Sequence, residues 1–466
     1  MTLAIVIIVL LGYVLICTEH ITRVNKATVA MFCGVVVWVL FMCYGPQYIM
    51  SLHKDAFQAF MGGLTTYSVN DINRFINENL FARHMFQLCS IVMYLLSTMA
   101  IVELLQNNGC FDFIKDWCWV RNRWRISLSL ALFSFILSAN LDNLTSSVVM
   151  LMLLRQLVIN PHQRMLLGTI VVIATNCGGC FTVIGDVTSL MIWTRGAVTP
   201  TNYSSALALP AVVAMIIPTL LLCRKLPERV DLKRPGFIFR GDDNALPVWQ
   251  RLMMLFVGIG GLWFVPTFHR LTMLPPFLGA LCVLGVLWVV NEVVNRKSIL
   301  SDQPVAMSSS RSLQYEVLQM IMFFIGIGLS VDALVEVGAM QHVAEWCDHH
   351  IHNIYLMSLF LGLVSSVMDN IALVLSGISI YPVLPDGAAL GDYLSSFTLN
   401  GQYWHLISLS GCVGGCLLPI GNTAGYALMK SEEVTIWWYF RHVTLKVLLG
   451  WLASLGVYFL IDYFLR

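Results

Sequence analysis

Ser138-Ala-Asn-Leu-Asp142-Asn143-Leu-Thr-Ser-Ser147 sets a carboxylate between two strongly apolar runs, 126–137 and 148–154. Even the mildest insertion scale charges about 2.5–3.5 kcal/mol for an Asp at the centre of a membrane helix. Much later the chain repeats the pattern Ser-x-x-x-Asp-Asn, as Ser365-Ser-Val-Met-Asp369-Asn370. A costly carboxylate followed by an amide, written twice in one setting, marks a site. Ser138 and Ser365 stand four residues before each carboxylate as supporting residues.

The surroundings are those of a membrane. Of 466 residues, 58% are hydrophobic and 11% charged, against about 25% charged in a soluble protein. Lipid offers no partners to a bare backbone, so such a chain spans it as helices. The fold class is an all-α polytopic membrane protein with the lipid bilayer as its main partner. A net charge of +1, with no basic tail, gives no footing for nucleic acid. The 13 cysteines are scattered and build no disulfide framework. The run 3–17 lacks a preceding basic residue and a small-x-small cleavage site, and reads as a retained span. The sequence shows no phosphate-cradling loop and no nucleophile with its base. It therefore reads as a non-enzyme without a cofactor, driven by an ion gradient.

Apolar runs near 3–18, 27–44 and 85–106 read as the first three spans, with a polar segment at 45–83. The runs 126–159 and 353–384 are too long for one span and broken at the Asp-Asn pairs, which predicts re-entrant helical hairpins. The runs 164–194 and 402–428 are broken by glycines. Further spans are expected near 205–223, 249–266, 275–290, 317–334 and 443–463. Placing the N-terminus outside puts 21 of the 27 Lys and Arg residues on the inner side, as the positive-inside rule asks. The first hairpin then enters from inside, the second from outside, and the C-terminus lies outside with the N-terminus.

This is the plan of an inverted repeat. Residues 1–223 form the first copy, 224–248 a basic inner linker and 249–466 the second copy. Each copy has three spans, a hairpin, a Gly-broken helix and a closing span. Asp142 and Asp369 are offset by 227 residues, Gly178-Gly179-Cys180 and Gly414-Gly415-Cys416 by 236. The loop near 385–401 absorbs the difference.

Four polar elements then converge: two hairpin tips, and two unwound stretches at 176–188 and 411–423. Irregular backbone at this depth is tolerated where it lines a protein-enclosed cavity. Asp142, Asp369 and Asp186 are the candidate carboxylates for Na⁺. Asn143, Asn370, Asn176, Thr188, Asn422 and Thr423 are candidate neutral ligands. The copies differ where Asp186 aligns with Asn422, leaving three carboxylates with no basic residue beside them. Burial disfavours a charged carboxylate and a bound Na⁺ favours it. Proton and cation therefore compete for one place. Asp186 taken alone also fits a hydrogen-bonded packing role.

Two other clusters stand out. Cys177-Gly-Gly-Cys180 and Cys412–Cys416 fit either a soft-metal or redox site, or small residues at a close backbone approach. His342, His349, His350 and His352, with Glu345 and Asp348, fit either a metal or pH-sensing site or a solvated helix face.

Thr18-Glu-His-Ile-Thr-Arg-Val-Asn-Lys-Ala27 resembles a signature of NhaD-type sodium/proton antiporters, of the ion transporter superfamily. So do Ser138–Thr145 and Gly178-Gly-Cys-Phe-Thr-Val-Ile-Gly-Asp-Val-Thr188. The resemblance implies exchange of Na⁺ or Li⁺ for H⁺ across a bacterial inner membrane. It also implies a homodimer whose transport part moves as an elevator. Asp142, Asn143, Asp186, Thr188, Asp369 and Asn370 would be the ion-site residues. A departure is the cysteine content of the Gly-rich segments, where Ala or Ser is more usual. The rival reading is a sodium-coupled dicarboxylate or oxyanion (arsenite-type) carrier of the same fold. A further rival is a membrane redox or metal protein built on the cysteine pairs.

Overall fold

The computed structural model describes residues 2–22, 24–62, 67–233, 246–295, 310–385 and 392–465. Among the described residues, seven helices are long and apolar enough to cross a membrane: Lys26–Cys43, Val69–Asn107, Pro200–Cys223, Val248–Thr272, Pro276–Val294, Leu318–Glu336 and Ile436–Phe464. The chain is an all-α multi-pass membrane protein. The basic linker expected at 224–248 lies partly outside the described residues.

One stretch departs from expectation. The polar segment at 45–83 is helical over Gly45–Leu52, Lys54–Phe60 and Val69–Phe75. The last of these runs on through a π-helical turn, Ile76–Phe81, so the third span starts at Val69 rather than near 85. The polar residues are spaced so that Tyr48, Ile49, Phe57, Ile72, Phe75 and Ile76 all turn inward. Mean hydropathy falls while one apolar face persists. Similarly, the last span begins at Ile436 rather than near 443.

The runs 126–159 and 353–384 each hold two helices with a break at the Asp-Asn pair. The first hairpin is Arg123–Ser138 and Asn143–Leu157, and the second is Ile354–Ser365 and Asn370–Ile380. The first broken helix runs Pro161–Gly179, opens, and resumes as Val187–Thr194. The second runs from Gln402 through a π turn and a 3-10 turn to Leu417, then resumes as Thr423–Glu432.

Matched contacts hold each hairpin to the broken helix that follows it. Ser138 Oγ donates to the Thr175 carbonyl at 2.6 Å, and Ser365 Oγ to the Gly411 carbonyl at 2.8 Å. A Cβ on Gly178 would overlap the Phe135 carbonyl, and one on Gly414 would stand 2.6 Å from the Gly362 carbonyl. The glycines are therefore what lets each pair of backbones meet. The base of the first hairpin is held by 226–232, through Arg123 to Leu226 and Ile159 to Asp231. The base of the second lies by Asp348 and Tyr393, which bond Tyr381.

A second body packs beside these elements. Lys26–Cys43 and Ser310–Glu336 touch backbone to backbone where Gly326 meets Ala30 and Met31. Small residues drive such contacts in lipid, where dispersion replaces the hydrophobic effect.

Candidate functional site

Four helices begin at one place, and that follows from their first residues. Asp142, Asp186, Asp369 and Asn422 each stand in extended or near-extended backbone before a helix, the preferred setting of Asp and Asn caps. Each accepts a bond from its own helix: Asp142 from the Thr145 amide at 2.9 Å, Asp186 from Val187 at 2.8 Å, Asp369 from Ile371 at 3.1 Å, and Asn422 from Gly425 at 2.7 Å. These helix N-termini were not among the features expected of the unwound stretches. The signal was present in Asp-Asn-Leu-Thr, Asp-Val-Thr-Ser and Asn-Thr-Ala-Gly. Each helix N-terminus adds roughly half a positive charge to the carboxylate cluster.

The amides tie the pieces together. Asn143 Nδ2 donates to Asn176 Oδ1 at 3.2 Å, and Asn176 Nδ2 to Asn422 Oδ1 at 3.3 Å. Asn422 Nδ2 in turn donates to the Gly415 carbonyl at 2.9 Å. Asn370 closes the ring, its backbone N–H reaching the Gly421 carbonyl at 3.1 Å and its Nδ2 reaching Asp186 Oδ2 at 3.3 Å. Asp186 Oδ2 also accepts from Thr188 Oγ1 at 2.6 Å and Cys412 Sγ at 3.2 Å. Thr423 is buried as the first residue of its helix. Asn143, Asn176, Asp186, Thr188, Asn370 and Asn422 are thus bonded into one buried centre, with the buried Asp142 and Thr423 as the chain neighbours of Asn143 and Asn422.

Among the described residues, three oxygens in or beside that centre lack a hydrogen-bond partner: Asp142 Oδ1, Asn370 Oδ1 and Ser146 Oγ, one helical turn beyond Asp142. Leaving such a group buried and unsatisfied costs about 1–3 kcal/mol, and more for a charged one. An oxygen-seeking cation is the kind of ligand that would satisfy them. Na⁺ fits this donor set, which consists of hard oxygens from carboxylate, amide and hydroxyl.

Asp369 differs from the other two carboxylates, which corrects the expectation of a centre without a basic residue. Lys26 Nζ lies 2.5 Å from Asp369 Oδ2, with side-chain exposures of 16% and 2%. Lys26 enters from the end of the first loop, far in sequence from either hairpin tip. That remoteness is why the spacing argument overlooked it.

The cysteines are structural neighbours of this centre. Cys177, Cys180, Cys412 and Cys416 are buried and unbridged. Cys412 donates to Asp186, and Cys180 Sγ to its own turn at the Cys177 carbonyl, 3.2 Å away. Among the described residues no group of three or more His, Cys, Asp and Glu side chains is arranged to hold a metal. The histidines near 342–352 form no shared site among the described residues: His342 faces Glu345 at 3.5 Å with both exposed, and His352 stacks on Tyr393 at 4.2 Å.

Two charge clusters flank the centre. Glu432, almost fully buried, receives Arg155 Nε at 2.9 Å and Arg164 Nε at 2.8 Å. It fastens the end of the second broken helix to the first hairpin and its successor. Arg155 is half-exposed and can turn to water, so Glu432→Gln should cost about 2 kcal/mol rather than the full value of a buried pair. Thermal unfolding in detergent should show the loss, and Arg155→Gln should lose less.

The other cluster joins His53, His84, Asp332 and Glu336. His84 lies 3.1 Å from Asp332 and 2.7 Å from Glu336, and His53 lies 2.9 Å from Glu336. His53 is outside the spans. Its bond to Glu336 lifts its pKa above the ordinary 6.5, against the opposing effect of burial. A raised folded value stabilises the protein fully below about pH 6.5, and that stability is lost as pH rises through the raised value. Melting temperature should therefore fall across that window, and the difference from His53→Gln should isolate this contribution.

A cavity of ≈ 440 Å³ lies between the two bodies, lined by Arg83, Gln87, Arg195, His269, Asp332 and Leu375 among others.

Comparison with known proteins agrees with this chemistry. The citrate transporter family model matches residues 3–395. Sodium/proton antiporter 2 of Arabidopsis thaliana is 32% identical over 97% of this chain and 98% of its own length. Sodium/proton antiporter 1 of the same plant is 32% identical over 96% of this chain and 70% of its own. The Na(+)/H(+) antiporter NhaD of Vibrio cholerae is 25% identical over 82% and 80% respectively. The chain belongs to the citrate transporter family, together with sodium/proton antiporters of the NhaD type.

Proposed function

We propose that this protein exchanges Na⁺, or Li⁺, for H⁺ across a membrane. The observation that carries the reading is the pair of buried carboxylates, Asp142 and Asp186, set among amide and hydroxyl oxygens, with Asp142 Oδ1, Asn370 Oδ1 and Ser146 Oγ unpartnered among the described residues. A cation binds there as a charge among hard oxygens. A proton arriving on either carboxylate removes the charge that holds it. Exchange follows if the centre reaches one side with Na⁺ and the other with H⁺. The antiporter names of its relatives support the same ions.

The finer picture is an inverted repeat of 1–223 and 249–466, with re-entrant hairpins and the centre carried past a static scaffold as a homodimer. The matched serine and glycine contacts support the repeat. The Lys and Arg distribution supports both termini lying outside, which in a bacterial inner membrane is the periplasm. The cavity beside Asp332 is the entry we assign to the outer side.

The family description favours a carboxylate carrier as the second reading, and Lys26 is the residue that would draw an anion. Its charge is already met by Asp369. With Lys26 counted, three aspartates leave two negative charges in surplus, and at 4 Å each repels an anion by about 4 kcal/mol at an effective dielectric of 20. In respiring everted vesicles, Na⁺ or Li⁺ should collapse the pH gradient and citrate should not. Citrate uptake without a Na⁺-dependent pH change would replace this reading with the other.

A further inference from the structure

The ammonium of Lys26 occupies a built position. It lies 2.5 Å from the Asp369 carboxylate, 4.6 Å from the centre of the Phe323 ring and 5.1 Å from that of Tyr426. Ring faces attract a cation through the negative face of their quadrupole. Three elements therefore supply the pocket: the tip of the second hairpin, the helix Ser310–Glu336, and the resumed half of the second broken helix. Lys26 itself opens the helix Lys26–Cys43, which packs on Ser310–Glu336. The ion pair thus joins the body that holds the centre to the body beside it. A hydroxyl–hydroxyl hydrogen bond also joins Tyr13, on the helix Thr2–Cys17, to Ser376 of the same hairpin, 3.0 Å apart.

Asp369 is also next to Asn370, whose side-chain amide reaches Asp186 and whose side-chain carbonyl oxygen has no partner among the described residues. The carboxylate that holds Lys26 and the amide that faces the ion centre are consecutive residues at one helix start. Building on the exchange reading, we propose that Lys26 is a tethered cation that Na⁺ must displace from Asp369. While Lys26 is seated, its charge offsets one of the three aspartates and keeps the hairpin fastened to the neighbouring body. When Na⁺ enters, the second hairpin turns its carboxylate toward the ion. The ammonium is released, and with it the fastening. Lys26 is in this sense a coupling residue, linking occupancy of the centre to freedom of the body that carries it.

The test uses the purified full-length protein in detergent, free of Na⁺ in choline chloride, then titrated with NaCl. An amine-reactive acylating reagent is applied briefly, and modification of Lys26 is read by peptide mass spectrometry, with Lys54 as an internal reference. Displacement predicts that Lys26 labelling rises several-fold, relative to Lys54, as Na⁺ saturates. Labelling that stays level or falls would overturn the proposal. A second measurement compares variants by ²²Na⁺ binding. Lys26→Met should half-saturate at roughly tenfold lower Na⁺, and Lys26→Arg should stay near the unmodified protein. Unchanged or weaker binding in Lys26→Met would also overturn it. Asp142→Asn and Asp186→Asn tell the two ideas apart. If they retain Na⁺ binding, the exchange site itself is misassigned. If they lose it while Lys26 labelling in the unmodified protein ignores Na⁺, only the role of Lys26 fails.

Discussion

Asp186→Asn should abolish Na⁺-dependent collapse of a pH gradient in everted vesicles, leaving less than about 1% of the original rate. The carboxylate stands at the junction of the first broken helix, with Thr188, Cys412 and Asn370 all donating to one of its oxygens. Asparagine keeps the shape and can still cap the helix through Val187. What it removes is the charge. A loss of about 3 kcal/mol in cation binding is roughly a hundredfold, and the proton-carrying form is lost as well. Asp142→Asn should act alike, because its Oδ1 has no partner among the described residues to satisfy it. Both variants should express and melt within a few degrees of the original. Vesicles of either variant that respond to Na⁺ at the original rate would remove these residues from the centre.

Gly178→Ala should prevent correct assembly, and Gly414→Ala should do the same from the other half of the chain. The added methyl would meet a backbone carbonyl, that of Phe135 in one case and Gly362 in the other. A flexible side chain could swing away, but a helix backbone cannot shift alone. Overpacking of this kind costs about 1–3 kcal/mol when neighbours can yield, and here the rigid neighbour puts the effect at the upper end or beyond. Separating hairpin from broken helix would also lengthen the Ser138 and Ser365 bonds. Loss of monodisperse protein on extraction is the expected readout. As a control, Gly285→Ala, where nothing stands near a Cβ, should be silent. Well-folded Gly178→Ala protein with full exchange would show that the close approach is dispensable.

Much of this arrangement was legible because membrane insertion makes exceptions conspicuous. Asp142 and Asp369 stood out as charges in apolar runs, and each caps the start of a helix, Asn143–Leu157 in one case and Asn370–Ile380 in the other. Gly178 and Gly414 were legible as breaks, though their contact partners were not. The segment at 45–83 was missed because its apolar face is diluted by polar residues on the other side. Ser146 carried no signal in a run of hydroxyls. Lys26 was hidden for a different reason: its meaning depends on a partner 343 residues away. A signature in the first loop pointed to the neighbourhood, but only tertiary structure shows that its ammonium seats on a carboxylate.

The four helix starts gathered on the centre have a consequence for speed. Each brings at most about half a positive charge, so together they offset part of the two carboxylate charges that Lys26 leaves over. An unloaded centre keeps a reduced negative charge and can rest in a low-dielectric interior without its cargo. The same offset lowers the depth of the well into which Na⁺ falls. A carrier gains nothing from gripping what it must soon let go; shallow wells on both sides of the journey favour rapid turnover over tight retention.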